Sequence, residues 1–268
     1  MSNKTKVNVS AYRKRKEAGE KIVMITAYDA PGAAAAFAAG IDMLLVGDSM
    51  AMTVLGYRNT LPLSMDEAIF HAQAVRRGAP DAFVIFDMPF MSYQVSIEEA
   101  LRNAGRAVKE AGANAVKLEG GAELVPLISR LVDCGIPVMP HLGLLPQRIQ
   151  TSGTYRITGR TDAEVEKLLS DARAVEAAGA FALVLECMPA EVGRRISEAL
   201  TIPTIGIGSG IHCDGQVQVL YDVLGLFEEF TPKHSRHYAE LGRLTREALK
   251  NYADDVRNGA FPGPENSF

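Results

Sequence analysis

Ionisable and polar residues follow a series of short apolar runs, at the points where those runs end. They are Asp48 and Ser49 after one run, Asp87 after the next, and then Lys117, Glu119, His141 and Glu186 at the ends of the following three. An ionised side chain that is removed from water needs a partner, a metal ion or a ligand. If the fold gathers the ends of the runs at one rim, we therefore expect these residues to form a functional cluster.

Each of these residues also has a structural interpretation when it is taken alone. An Asp at the end of a strand is often the N-cap of the next helix, which applies to both aspartates. Lys117 could form an ion pair with Glu119, because residues i and i+2 of a strand point to the same side, or with Asp87. His141 could be a packing histidine, and Glu186 could pair with an arginine. Their concentration at successive run ends favours the functional interpretation.

The carboxylates Asp48, Asp87 and Glu119 form a set of hard oxygen ligands without accompanying cysteines. Such a set suits Mg²⁺, which keeps several waters and accepts further oxygens from a substrate. A 2-oxo acid offers two oxygens, and its chelation would polarise the ketone and stabilise an enolate. Glu186 or His141 could then remove the proton from the carbon next to the ketone.

Lys117 has two possible chemical roles in such a site. Its charge could neutralise the substrate carboxylate or the enolate oxygen. Its amine could instead form a Schiff base with the ketone. The sequence leaves both roles open.

The glycine-rich segment GIGSG, Gly206–Gly210, follows the seventh apolar run. In barrel enzymes this region often binds phosphate. A tight turn needs the same glycines, so both interpretations stay open.

The apolar runs alternate with helical patterns along the whole chain. The predicted strands are Ile22–Tyr28, Met43–Asp48, Phe83–Asp87, Ala115–Glu119, Val138–His141, Ala182–Glu186, Thr204–Gly208 and Val217–Leu224. The predicted helices between them are Pro31–Ala39, Ser64–Arg77, Ser96–Ala111, Ala122–Cys134, Asp162–Ala178 and Pro189–Leu200. The runs are apolar on both faces, which is typical of parallel strands buried on both sides.

Eight strand–helix units in 268 residues predict an α/β protein with a closed (βα)8 TIM barrel, as a single domain over residues 1–268. An extra helix is expected before the first strand and another over Ser235–Val256. The alternative, an open doubly wound sheet, is disfavoured because no dinucleotide-binding fingerprint follows the first strand. The long connection Gly143–Thr161 follows the fifth strand, so it is expected over the mouth of the barrel as a lid or substrate loop.

Local signals mark several helix ends. Ser64 and Ser96 are predicted N-caps, because acidic residues occupy the first turn that follows each of them. Glycines at positions 78, 112, 135 and 179 are predicted to end helices in the left-handed conformation.

The composition excludes several classes of protein. A net charge of −4 and a pI near 5.8 give no basic stripe, so no nucleic-acid partner is expected. Cys134, Cys187 and Cys213 are scattered without CxxC pairing, which argues against a disulfide framework or a zinc cluster. The first residues lack a signal peptide's apolar stretch, and no early apolar run could span a bilayer. We expect a cytoplasmic protein with no membrane partner.

Several phrases of the sequence carry a resemblance to one known family. They are TAYDA (Thr26–Ala30), LLVGDSMAMTVLGY (Leu44–Tyr57), DMPFMSY (Asp87–Tyr93), AVKLEGG (Ala115–Gly121), HLGL (His141–Leu144), LVLECMP (Leu183–Pro189), IGIGSG (Ile205–Gly210), RRGAP (Arg76–Pro80) and the tail FPGPENSF. Because they run nearly from end to end, the chain resembles the ketopantoate hydroxymethyltransferases. The resemblance implies a (βα)8 barrel of the phosphoenolpyruvate/pyruvate type.

The same resemblance implies an activity and a set of site residues. The activity would be hydroxymethyl transfer from 5,10-methylenetetrahydrofolate to 3-methyl-2-oxobutanoate, giving 2-dehydropantoate through a metal-stabilised enolate in pantothenate and coenzyme A biosynthesis. Mg²⁺ would be held by Asp48, Asp87 and Glu119, the 2-oxo acid by Asp48, Ser49, Asp87 and Lys117, and catalysis would involve Glu186 as base, Lys117 and His141. A homo-oligomer, often a decamer, is implied as well.

Overall fold

The sheet of this computed structural model, which describes residues 8–227 and 231–268, is a closed barrel of parallel strands. The strands are β1 Ile22–Thr26, β2 Met43–Val46, β3 Phe83–Asp87, β4 Ala115–Glu119, β5 Val138–Gly143, β6 Leu183–Glu186, β7 Thr204–Ile207 and β8 Gly215–Gln218. Each pairs with the next along the chain, and β8 pairs with β1. The predicted TIM barrel is confirmed, and the open doubly wound sheet is excluded.

Helices alternate with the strands along the chain, and two more follow β8. They are α1 Val9–Glu17, α2 Ala30–Ala38, α3 Met50–Thr53, α4 Met65–Gly78, α5 Ile97–Lys109, α6 Val125–Asp133, α7 Ile149–Ser152, α8 Asp162–Ala177, α9 Ala190–Ala199, α10 Leu220–Val223 and α11 Leu241–Arg257. Short 3-10 helices occupy Ala122–Leu124, Pro146–Arg148 and Pro264–Asn266. The expected helix before the first strand is α1.

The register of the central strands places the predicted site residues at one rim. Asp87 lies beside Lys117, and Glu119 lies beside His141. The end of β5 lies beside Glu186 of β6. Because all strands run in the same direction, their carboxyl ends share this rim, where barrel enzymes carry their active sites.

Apolar side chains fill the barrel below that rim. Ala115 belongs to this core, so Lys117 and Glu119, two and four residues further along β4, point into the barrel as well. The ring of Tyr12 in α1 packs edge-on against Phe83, with ring centroids 5.1 Å apart. Since Phe83 is the first residue of β3, α1 covers the amino end of the barrel.

The predicted eighth strand was wrong in its position. The apolar pattern predicts it at Val217–Leu224, whereas β8 begins at Gly215 and residues Leu220–Val223 form α10. In β8 only alternate residues are buried, so it lacks the continuous apolar run on which the prediction relied. A Cβ at Gly215 would lie 2.4 Å from the carbonyl oxygen of Ile22, so the glycine permits the pairing with β1.

The predicted C-terminal helix began too early. It was expected over Ser235–Val256, but α11 is Leu241–Arg257. Backbone N–H groups before and at the start of α11 donate to carbonyls at the end of α10, from Tyr238 to Val223 and from Leu241 to Leu224. Because these N–H groups bond outside a helix, α11 does not extend back to Ser235.

The predicted helix ends were mostly confirmed. Ser64 and Ser96 cap α4 and α5, and each accepts a hydrogen bond from the glutamate N–H three residues on. The glycines at 112, 135 and 179 have positive φ, as expected. The prediction for Gly78 was wrong, because Gly78 is the last residue of α4 itself. A Cβ at this position would come within 2.2 Å of the Ala30 carbonyl oxygen, so the lack of a side chain lets α4 approach α2 closely.

The chain divides into two compact units between Val219 and Leu220. The first contains the barrel and the second contains α10 and α11. The single domain over residues 1–268 stays a prediction. Among the described residues, no helix combines the length and apolar character needed to cross a membrane.

Candidate active site

Lys117 lies buried among carboxylates at the carboxyl end of the barrel. Its Nζ donates to Asp87 Oδ1 at 2.7 Å and lies 3.8 Å from Glu119 Oε1. Burial would lower the pKa of Lys117, but the negative charges of Asp87, Glu119 and Asp48 outweigh it and raise that pKa. The amine therefore stays protonated, and because a protonated amine is not a nucleophile, the arrangement disfavours a Schiff base.

His141 is buried between two carboxylates. Its Nδ1 lies 3.7 Å from Glu119 Oε1, and its Nε2 lies 3.3 Å from Glu186 Oε2. Burial and the charge of Lys117 lower the pKa of His141, but the two facing carboxylates raise it to about 9. At neutral pH the ring is therefore an imidazolium, which cannot accept another proton. Glu186, with 17% of its side chain exposed at the mouth, is the better candidate for the base.

Three buried carboxylates crowd the same rim. The backbone N–H of Asp48 donates to Asp87 Oδ2 at 3.1 Å, which joins the ends of β2 and β3. Burial, Asp87 and Glu119 raise the pKa of Asp48, and burial raises that of Asp87 in spite of Lys117. Burial would also raise the pKa of Glu119, but His141 and Lys117 lower it. The two aspartates are therefore short of compensating positive charge.

That shortage makes the donor set suitable for a hard divalent cation. Glu119 Oε1 is buried and has no hydrogen-bond partner within residues 8–227 and 231–268. A cation that takes oxygen ligands would relieve the repulsion between the carboxylates. In the described part of the chain, no three Asp, Glu, His or Cys side chains already surround one common point. The ligand set Asp48, Asp87 and Glu119 stays a prediction.

The helices that follow β2 and β3 exclude the capping role for both aspartates. The N-cap of α3 is Ser49, and the N-cap of α5 is Ser96. Ser49 Oγ lies 2.9 Å from the hydroxyl of Tyr28 at the end of β1. Asp48 and Asp87 are therefore left for binding rather than for capping, with Ser49 beside them.

Two buried residues that the sequence analysis did not select also belong to this site. Gln147 donates from Nε2 to Asp48 Oδ2 and from its backbone N–H to Glu119 Oε2, both at 3.0 Å. The hydroxyl of Tyr93 donates to Gln147 Oε1 at 2.8 Å. The available signal was their location, since DMPFMSY ends at Tyr93 and Gln147 comes three residues after HLGL.

The connection Gly143–Thr161 runs between different sides of the rim. It is attached to the ends of β2 and β4 through Gln147. The N–H of Thr158 donates to the carbonyl of Cys187, next to Glu186, at 3.1 Å. The loop therefore lies against the predicted site residues at both of its ends, and its role as a lid stays a prediction.

A cavity of about 490 Å³ lies beside the cluster. Its walls include the aromatic and apolar side chains of Phe90, Ile97 and Leu127, and also Tyr93 and Gln147. Because Gln147 also contacts Asp48, a small molecule in this cavity would lie one side chain away from Asp48.

The glycine-rich turn Gly206–Gly210 has a structural explanation. Ser209 is fully buried, and its Oγ donates to the carbonyl of Leu185 at 2.7 Å. A Cβ on Gly193 would lie 2.3 Å from the Ser209 carbonyl oxygen, so the turn packs tightly against α9. These contacts favour the tight turn over the phosphate site.

Comparison with known proteins finds one family along nearly the whole chain. The family model described as Ketopantoate hydroxymethyltransferase matches residues 6–264. A 3-methyl-2-oxobutanoate hydroxymethyltransferase of Moorella thermoacetica is 53% identical over 268 residues, which is 100% of each chain. A protein of the same name from Thermotoga maritima is 53% identical over 262 residues, covering 98% of this chain and 96% of that one.

Solved structures with the same fold are more distant in sequence. A phosphoenolpyruvate phosphomutase from Streptomyces platensis subsp. rosaceus has a TM-score of 0.61 at 16% identity, covering 94% of this chain and 88% of that one. A 2,3-dimethylmalate lyase, a member of the PEP mutase/isocitrate lyase superfamily, has a TM-score of 0.60 at 16% identity, covering 96% and 92%. These likenesses agree with the expected barrel type and concern the fold alone.

Proposed function

The chain belongs to the ketopantoate hydroxymethyltransferase family, and on that premise we propose that it is a 3-methyl-2-oxobutanoate hydroxymethyltransferase. The proposed reaction transfers a hydroxymethyl group from 5,10-methylenetetrahydrofolate to C3 of the 2-oxo acid. It consumes one water and gives 2-dehydropantoate and tetrahydrofolate, as a step of pantothenate and coenzyme A biosynthesis. The observation that carries the proposal is the buried charge cluster around Lys117 at the carboxyl rim.

Substrate binding is the first task that we assign to the cluster. The Lys117 ammonium is a fixed positive charge for an anionic substrate, and the Ser49 hydroxyl is a nearby donor. Asp48, Asp87 and Glu119 would hold a divalent cation such as Mg²⁺. When bound, that cation would draw electron density from the ketone oxygen and stabilise the negative charge that develops there.

Proton removal from C3 is the second task, and we assign it to Glu186. Its carboxylate would accept the C3 proton, and the electron pair left on C3 would delocalise onto the ketone oxygen. The imidazolium of His141, 3.3 Å from Glu186 Oε2, would hold that carboxylate in place. C3 would then form a bond to the methylene carbon of the donor, whose bonds to nitrogen are broken as water supplies the hydroxyl group.

Product formation tests the proposal. The purified protein is incubated with 3-methyl-2-oxobutanoate, Mg²⁺ and 5,10-methylenetetrahydrofolate, and 2-dehydropantoate is measured by NMR. We expect product only when all three are present. Cleavage or rearrangement of a 2-oxo acid without the folate would identify a lyase or mutase instead and contradict the transferase. The metal ion, the folate donor and the homo-oligomer, a decamer by resemblance, stay predictions until such measurements are made.

A further inference from the structure

Gln147 lies where the loop after β5 meets the buried carboxylates. It is 4% exposed and belongs to the 3-10 helix Pro146–Arg148. Its backbone N–H donates to Glu119 Oε2, and its side-chain Nε2 donates to Asp48 Oδ2, both at 3.0 Å. One loop residue therefore contacts carboxylates from two strands, β2 and β4.

The surroundings of Gln147 select one orientation of its amide group. The hydroxyl of Tyr93 accepts from the N–H of Glu119 at 3.0 Å and donates to Gln147 Oε1 at 2.8 Å. Nε2 donates to the Met88 carbonyl at 3.0 Å as well as to Asp48. A reversed amide would direct its oxygen at two acceptors, Asp48 and the Met88 carbonyl, so both protons of Nε2 are used in the orientation observed.

The Asp48 carboxylate depends on this bond. Within the described ranges, the donor to its side chain is Gln147 Nε2. A buried carboxylate with few donors has no fixed orientation of its own, particularly where the neighbouring Asp87 and Glu119 repel it. The Gln147 amide therefore holds Asp48 at a set angle, while its backbone N–H holds Glu119.

We propose that Gln147 is a positioning residue, which fixes Asp48 and Glu119 in the orientation that binds a divalent cation and the 2-oxo acid and which links that orientation to the loop after β5. It acts through the two carboxylates, each of which it contacts at 3.0 Å. The identity of the 2-oxo acid in this inference rests on the proposed function, whereas the effect on cation binding does not.

The test replaces Gln147 without changing its approximate size. Gln147→Met keeps the length of the side chain and removes the amide, and Gln150→Met, at an exposed position of the same loop, is the matched control. Binding of Mn²⁺ is measured from the electron paramagnetic resonance signal of the free ion. KM and kcat are measured for exchange of the C3 proton of 3-methyl-2-oxobutanoate.

We expect Gln147→Met to affect binding and to leave turnover nearly unchanged. In Gln147→Met, Mn²⁺ binding weakens and KM rises, each roughly 10- to 100-fold, as for other residues that orient metal ligands, while kcat at saturation changes little. Gln150→Met matches the wild type. Tyr93→Phe weakens Mn²⁺ binding by less, and its effect is smaller in the Gln147→Met background than in the wild type, because Tyr93 acts on Asp48 through Gln147.

Four outcomes would contradict this inference or the proposed function on which part of it rests. Unchanged Mn²⁺ affinity and KM in Gln147→Met would exclude positioning, and so would a fall in kcat alone, which partial unfolding would produce. A wild type that binds Mn²⁺ without exchanging the C3 proton would contradict the proposed function, and the Mn²⁺ affinities of the variants would still decide the role of Gln147. A wild type that does not bind Mn²⁺ would contradict both.

Discussion

The two ends of the barrel hold their charged side chains in different ways. At the amino end, all three protons of the Lys16 ammonium group donate hydrogen bonds. Lys16 Nζ donates to the carbonyls of Ser197 and Ile202 at 2.8 and 3.0 Å and to Asp214 Oδ2 at 2.9 Å. Asp214 Oδ2 also accepts from the backbone N–H and the hydroxyl of Thr204, at 2.8 and 2.9 Å. Charges that are paired and hydrogen-bonded in this way stabilise the fold and leave no capacity for a ligand.

The carboxyl end also contains ion pairs, but several of its charged groups keep unused hydrogen-bonding capacity. Glu119 Oε1 and both ring nitrogens of His141 make no hydrogen bond of good geometry to any described residue. Burial and mutual repulsion raise the pKa values of Asp48 and Asp87. Position in the barrel therefore separates two uses of charged side chains, since one end contributes to stability and the other keeps binding capacity.

The largest expected effect is on activity at the carboxyl end. Glu186→Gln removes the proposed base but keeps its shape, so exchange of the substrate C3 proton should slow roughly 10²- to 10⁴-fold. Its melting temperature should stay close to that of the wild type, because the Glu186 side chain is partly exposed. The control is Glu191→Gln on the surface of α9. An exchange rate in Glu186→Gln equal to that of the wild type would remove Glu186 as the base.

A change at the amino end should affect stability and spare activity. Lys16→Met leaves the Asp214 carboxylate without its cation, and the free energy of unfolding in urea should fall by about 3 kcal/mol. Exchange per folded molecule should be unchanged. Lys14→Met, at an exposed position of the same helix, should do neither. Loss of exchange in folded Lys16→Met would break the separation between the two ends.

The smallest expected effect is a gain in stability at the carboxyl end. Burial, Asp87 and Glu119 raise the pKa of the Asp48 carboxyl, so its charged form is unfavourable in the fold at neutral pH. Without divalent cations, the free energy of unfolding in urea should be about 1 kcal/mol higher for Asp48→Asn than for the wild type. The same variant should lose Mn²⁺ binding. A less stable Asp48→Asn would show that this carboxylate contributes to folding as Asp214 does.

The pH dependence of that gain tests its cause. The pKa of Asp48 is higher in the folded than in the unfolded state, so the folded protein binds the proton more tightly, and acidification favours folding at this site. The gain in the free energy of unfolding of Asp48→Asn should be complete above the raised pKa of Asp48. It should vanish below the pKa of Asp in the unfolded state, about 3.9. Urea unfolding of both proteins at several pH values measures it. A gain independent of pH would rule out the charge as its origin.

The sequence predicted the rim residues because their position depends on strand direction alone. Once Asp48, Asp87 and Glu186 end parallel strands, closure of the barrel brings them to one rim, whatever the loops do. The positions of Gln147 and Tyr93 depend on the paths of two loops, and no periodic pattern encodes such paths. These two residues were therefore missed.

The ion pair at the amino end of the barrel was not predictable for a related reason. Lys16 and Asp214 are 198 residues apart, and only the closed barrel brings α1 to the start of β8. The predicted position of β8 was wrong, because the sequence of a short strand with alternate burial resembles that of a loop more than that of the other seven strands. Local patterns thus identified the buried strands, whereas contacts between distant segments required the structure.

Exchange of the C3 proton of 3-methyl-2-oxobutanoate in deuterated water is the most direct test of the central claim that the carboxyl-end cluster activates a 2-oxo acid. The wild-type protein is followed by NMR with Mg²⁺ and with a chelator, in the absence of any folate. The expected result is enzyme-dependent exchange that requires the cation. No exchange with Mg²⁺, Mn²⁺ or another divalent cation would contradict the claim.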